Sequence, residues 1–226
     1  MRLLIGIPAF NEANTIGDVL KTIPKKIRGT GKIDILVVDD GSTDKTSQIS
    51  HTYGAIVLRH LINRGLGGAL KTILTYAKNK KYELLVTLDA DGQHNPKDIP
   101  TIVKFLYGGN VDVVITTRWK KLPPVTFSRF LVNWFANFIT YILFGVWTTD
   151  SQSGFRGFTK KAIERINIQS DGMEVSSEFF KEIHKNHLRF IEIPIQAIYT
   201  KYSRQKGQKL TNSFHVLLQL FVRLLK

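Results

Sequence analysis

Residues 84–96 read LLVTLDADGQHNP. An apolar run meets two carboxylates one residue apart, Asp89 and Asp91, with Gln93 and His94 close behind. On an extended strand, residues two apart point the same way, which would put both carboxylates on one face. Hard oxygen donors so arranged suit Mg2+ or Mn2+, with further coordination positions left for phosphates and water. Gln93 could add a third oxygen, and His94 could be a ligand but reads better as an orienting or packing residue. Acidic residues also end strands as caps and turns, so this pair alone leaves both readings open.

The flanking chain says what must position such a pair. Short apolar runs alternate with helical patterns: RLLIGIPAF and a helix over about 14–26, KIDILVVDD and a helix capped by Ser42 or Thr43, AIVLRH and a helix from the glycine-rich NRGLGGA to about Lys80, YELLVTLDA, PKDIPTIVKFLYGG and VDVVITTR. That alternation predicts a three-layer α/β fold with a mostly parallel sheet, whose ligands bind beyond the carboxyl ends of the strands. At that edge lie Pro8, Ala9 and Glu12 after the first run, Asp39 and Asp40 after the second, and Asp89, Ala90 and Asp91 after the fourth. The carboxylates gathered there sit in a chain with net charge +14 and need a countercharge, for which a divalent cation is the simplest source. Asp39-Asp40-Gly41-Ser42 has two readings, a turn leading to a helix cap or a carboxylate accepting hydrogen bonds from a base or ribose.

Taken in order, IPAFNEANTI, VVDDGSTDKT, NRGLGGALKTI, TLDADGQHNP and SGFRGFTKKAI resemble a family 2 glycosyltransferase of the GT-A fold, of the polyprenyl- or dolichol-phosphate mannose (or glucose) synthase type. The resemblance spans about residues 3–210. It implies nucleotide-sugar contacts at Pro8, Ala9, Glu12, Asp39, Asp40, Asp89, Ala90, Asp91 and Arg118, and a metal held by Asp89, Asp91 and Gln93. It implies catalytic positions at Asp91, Arg118, Asp150 and Arg156, and an acceptor phosphate met by Ser153, Arg156, Arg204 and Lys209. Asp150 falls at the family's candidate base position, although an anionic lipid phosphate has little need of a strong base. In the later basic turn, RQKGQKL, Gln208 stands where the family pattern usually has Ser. The implied reaction is an inverting, metal-dependent transfer of a hexose, from GDP-mannose before UDP-glucose, to a polyprenyl phosphate; the alternative is a soluble or polysaccharide acceptor.

Two segments combine basic and apolar residues. Phe130 to Trp147 is uncharged, and Arg129, Asn133, Asn137 and Thr140 fall on one helical stripe. Residues 211–226 repeat the device with His215, Gln219, Arg223 and Lys226. Both patterns suit helices lying on a bilayer, although the first also suits a core helix and approaches the length of a membrane span. The expected layout is a catalytic domain over 1–210 with an interface helix inserted at 129–147, followed by a membrane-surface helix at 211–226. The expected place is cytoplasmic, peripheral on the inner face of the membrane, with no secretory signal, no transmembrane helix and no nucleic-acid partner; a membrane subunit stays open. A nucleic-acid binder would have no use for the carboxylate edge. Cysteine is absent, which excludes disulfides, thiolate metal sites and cysteine nucleophiles.

Overall fold

The computed structural model describes residues 1–118, 127–196 and 198. Its chain order is β1 (Leu3–Ala9), α1 (Ile16–Thr22), β2 (Ile33–Asp39), α2 (Thr46–Thr52), β3 (Ile56–Arg59), α3 (Leu66–Asn79), β4 (Leu84–Thr87), a 3-10 turn (Pro96–Asp98), α4 (Ile99–Tyr107), β5 (Val113–Thr117), α5 (Phe127–Phe144), β6 (Arg156–Thr159), α6 (Lys160–Arg165), α7 (Val175–Lys185) and β7 (Phe190–Pro194). The strands form one sheet in the order β3-β2-β1-β4-β6-β5-β7. All neighbours run parallel except β6, which is antiparallel to both β4 and β5. The expected α/β sandwich with a mostly parallel sheet is therefore the observed one.

Strand β1 is buried along its whole length because helices cover both faces of the sheet. Its side chains alternate between two cores. Leu3, Ile5 and Ile7 pack with α1 and α4, whereas Leu4 packs with α3, α6 and α7. Gly6 lets α3 approach closely, since a Cβ there would lie 2.4 Å from Ile73 Cγ2.

Three local expectations are corrected. The first helix ends at Thr22 instead of about 26, because Pro24 forces Ile23 into an extended conformation with ψ 127°. The second helix starts at Thr46, and neither Ser42 nor Thr43 caps it. Ser42 Oγ instead accepts the Asn11 N–H at 2.9 Å, and Asp44 accepts the Thr46 N–H at 2.9 Å. Strand β4 stops at Thr87, so Asp89 and Asp91 stand beyond it, Asp91 in a turn. The expected helix at 211–226, with Arg204 and Lys209, lies outside the described residues.

Candidate active site

The loops after β1 and β2 are laced into one rim. Asn11, with φ 52°, accepts the Thr43 N–H at 2.9 Å through its side-chain oxygen. Glu12 donates its N–H to Thr46 Oγ1 at 2.8 Å, and the Thr15 hydroxyl donates to its carboxylate at 3.0 Å. Ala9 and Glu12 are buried in this rim, while Phe10 is exposed.

Asp39 and Asp40 end β2 beneath that surface. Asp39 accepts the Ser42 N–H at 2.8 Å and is bonded to the Ser47 hydroxyl. Asp40 accepts the Arg64 N–H at 2.9 Å and the Gly65 N–H at 2.7 Å, and its Oδ1 lies 2.6 Å from His60 Nδ1. The Asp40 carboxylate therefore shapes the turn that enters α3. Gly65, at φ 87°, and Gly67 are required there, because Cβ atoms on them would lie 2.5 Å from the Asp171 carbonyl and 2.1 Å from the Ser170 carbonyl.

Beyond β4, Asp89 and Asp91 are close enough to perturb each other. Burial pushes Asp89 up, but the His94 hydrogen bond at 3.1 Å and the nearby charges of Arg118 and Arg156 outweigh it and hold the carboxyl below its ordinary range. Asp91 moves the other way, raised by burial, the Asp89 charge and Glu12. Asp91 is driven up first by burial and then by its acidic neighbours, and the part that comes from Asp89 and Glu12 is negative charge that a divalent cation bound by hard oxygens would offset. Among the described residues no group of three His, Cys, Asp or Glu is poised for a metal. Gln93 donates to Asp91 from its backbone at 2.9 Å and its amide at 2.6 Å, so it orients Asp91 here; the expected metal role would use its amide oxygen. His94 is buried against Phe155, as an orienting and packing residue would be.

The opposite wall comes from the far half of the sheet. Arg118 follows β5 and pairs with Asp150, Nε to Oδ2 at 2.7 Å and Nη2 to Oδ1 at 2.8 Å. Ser153 is buried with its hydroxyl 2.8 Å from Thr116 Oγ1. Arg156 is also buried. It donates to the carbonyls of Ser153 at 2.8 Å and Ser151 at 2.9 Å, and its guanidinium lies 4.5 Å over the Phe179 ring. Burial lowers its pKa to about 10 against the opposing pull of Asp89 and Asp150. Arg156 thus supports the 150–153 loop from below, a different station from the open phosphate clamp expected of it.

Several site residues escape sequence reasoning. A Cβ on Gly154 would lie 2.2 Å from Asp89 Oδ1, so this glycine makes room for the carboxylate. Asn137 and Glu192 brace the loop that carries Asp150. The signals were a glycine beside Ser153 and a lone acid within the apolar run FIEIPI, neither of which reveals its partner.

Over its described side chains, helix α5 turns Asn137 and Thr140 inward. Asn137 is 5% and Thr140 0% exposed, whereas Trp134 is 47% and Ile142 63% exposed, with Phe135, Phe138, Tyr141 and Trp147 also outward. The model of the glycosyl transferase family 2 matches residues 4–166, most of this chain. The chain belongs to glycosyl transferase family 2. It is similar, at 31% identity over 238 residues, to the UDP-N-acetylglucosamine–dolichyl-phosphate N-acetylglucosaminyltransferase of Methanococcus voltae, covering 96% of this chain and 93% of that one. It is 28% identical to the undecaprenyl-phosphate mannosyltransferase of Micrococcus luteus, covering 91% and 87% of the two chains. Among solved structures, glucosyl-3-phosphoglycerate synthase from Mycobacterium tuberculosis with Mn2+ and UDP-glucose shares the fold, with TM-score 0.72 and 20% identity over 99% of this chain and 77% of that one.

Proposed function

We propose that this family 2 enzyme moves a hexose from a nucleotide sugar to a polyprenyl phosphate, with inversion, at the membrane surface. The observation that carries the lipid acceptor is helix α5. It presents tryptophan, tyrosine and phenylalanine to the outside while its inner Asn137 holds the Asp150 loop, so an apolar platform adjoins the acceptor side of the carboxylate edge. Trp and Tyr suit the headgroup level of a bilayer. Among the described residues no helix is long and apolar enough to cross a membrane, and α5 suits a helix lying in the interface. The names of the two relatives support a polyprenyl phosphate acceptor. This reading places the protein on the cytoplasmic face, where its positive charge would favour anionic lipid.

Asp89 and Asp91, with Gln93, would hold the divalent cation, which when bound offsets the charge that gathers on the departing diphosphate. Arg118 adds a cationic side chain on the same side, near Asp89. Glu12, Asp39 and Asp40 build the rim over which the nucleoside would lie. A lipid phosphate oxygen is already anionic near neutral pH, so it can attack the anomeric carbon directly. A single displacement of this kind inverts the anomeric configuration.

The test is transfer of radiolabelled sugar to a short polyprenyl phosphate, with GDP-mannose, UDP-glucose and UDP-N-acetylglucosamine offered separately in Mn2+ and in EDTA. Transfer from one donor, abolished by EDTA and lowered at least about a hundredfold by Asp91→Ala, is the expected result. Donor hydrolysis with no lipid product would point to a soluble acceptor. No binding of any of the three donors would overturn the site.

A further inference from the structure

Asp150 has no exposed surface. Its Oδ2 accepts from Arg118 Nε at 2.7 Å and from the Arg118 backbone N–H at 3.1 Å, and its Oδ1 accepts from Nη2 at 2.8 Å. This is the two-pronged arrangement in which a carboxylate and a guanidinium fit each other best. The loop around it is braced from three elements. Asn137 on α5 donates to the Thr149 carbonyl at 2.8 Å and accepts the Ser151 N–H at 3.0 Å, gripping the residues on either side of Asp150. Glu192 on β7 accepts the Thr149 N–H at 2.7 Å and the Thr149 hydroxyl at 2.9 Å, and is bonded to the Thr148 hydroxyl. Arg156 on β6 holds the Ser151 and Ser153 carbonyls.

A general base needs a lone pair facing the reacting hydroxyl and a path for the proton. Here both carboxylate oxygens are engaged by one arginine and the group has no exposed surface, so neither oxygen faces open space where a hydroxyl could sit. We infer that Asp150 is a positioning residue, which holds the Arg118 guanidinium toward Asp89, with Asn137 and Glu192 as its braces. The inference rests on the proposed reading of the Asp89 edge as a sugar-diphosphate site. It assigns Arg118 the contact with the diphosphate and leaves Asp150 without a proton to carry.

The experiment is a double-mutant cycle on the full chain with Asp150→Asn and Arg118→Gln. Donor binding is read by calorimetry with GDP-mannose, UDP-glucose and UDP-N-acetylglucosamine in Mn2+, and transfer to a short polyprenyl phosphate is followed against pH. Asp150→Asn should weaken donor binding about tenfold, add nothing in the Arg118→Gln background, and leave the shape of the kcat/KM pH profile unchanged. Arg118→Lys, which keeps the charge but loses the fork, should reproduce that loss without touching the loop. A loss of kcat of about a thousandfold with donor affinity intact, an acidic limb that disappears, or effects that multiply would make Asp150 a base and overturn the inference. The pair is also read without ligand, as a slowly exchanging Arg118 Nε–H nitrogen resonance that is lost in Asp150→Asn. Absence of that resonance in the wild type would overturn the pair itself. Failure of the wild type to bind any donor would count against the proposed function, with the resonance still deciding the pair.

Discussion

At the scale of single residues, the site is a contest between like charges held close and the groups that tolerate them. Asp89 keeps its charge because His94, Arg118 and Arg156 favour it, and Asp91 then carries the repulsion. Space matters as much as charge. Gly154 is the neighbour against which Asp89 rests, and a methyl group there would overlap the carboxylate at 2.2 Å. Gly154→Ala should therefore displace Asp89 and lower Mn2+ affinity about 10- to 100-fold, as measured by calorimetry, while the thermal unfolding of the metal-free protein shifts by only a few degrees. Unchanged Mn2+ affinity would mean that Asp89 is not a ligand.

At the scale of elements, α5 has two unlike sides. Its inner side is tied by polar bonds, with Asn137 to the 149–151 loop and Thr140 Oγ1 3.3 Å from Ser177 Oγ on α7. Its outer side carries aromatic pairs, Trp134 stacked on Phe138 at 5.4 Å and Tyr141 edge-on to Trp147 at 5.7 Å. An exposed aromatic cluster of this kind marks an interaction surface, and reading folding beside vesicle binding separates the two effects of its removal. The double change Trp134→Ser with Phe138→Ser should cut sedimentation with anionic vesicles about tenfold while the urea midpoint and donor binding stay near wild type. Equal vesicle binding by the variant would remove α5 from the membrane contact.

At the scale of the whole molecule, the sheet joins the half that carries Asp39, Asp40 and Asp89 to the half that carries Arg118 through the antiparallel β6, which brings Arg156 into the middle. The outer half is stapled far from the site by Asp112 at the start of β5. Burial raises the Asp112 carboxyl, but the Arg189 backbone N–H at 2.9 Å, the Arg189 guanidinium and the Lys161 ammonium at 3.0 Å outweigh it and hold it below the ordinary carboxylate range. A depressed acid contributes stability above its unfolded value and loses it as pH falls through the folded one. Asp112→Asn should cost about 1–2 kcal/mol at pH 7 by urea unfolding, since both cations are partly exposed, and the difference from wild type should shrink as the pH falls below the ordinary aspartate range. A gap that persists in acid would show that packing, not charge, is at stake.

Much of this protein is written locally. The alternation of apolar runs and helical patterns determined the α/β sheet, and the rule that ligands sit beyond strand ends determined which edge holds Glu12, Asp39, Asp40, Asp89 and Asp91, because both follow from short-range periodicity. The polar stripe of α5 was legible for the same reason, but its direction was not, since periodicity says which residues share a face and not what that face meets. Only the tertiary structure decided that Asp40 spends its carboxylate on the turn before α3, that Gly154 makes room for Asp89, that Arg156 is buried, and that Asp150 is closed on Arg118. Those pairs lie on different strands and loops, far apart in the chain. A carboxylate's role depends on which donor folding brings against it, and no spacing along one segment contains that information.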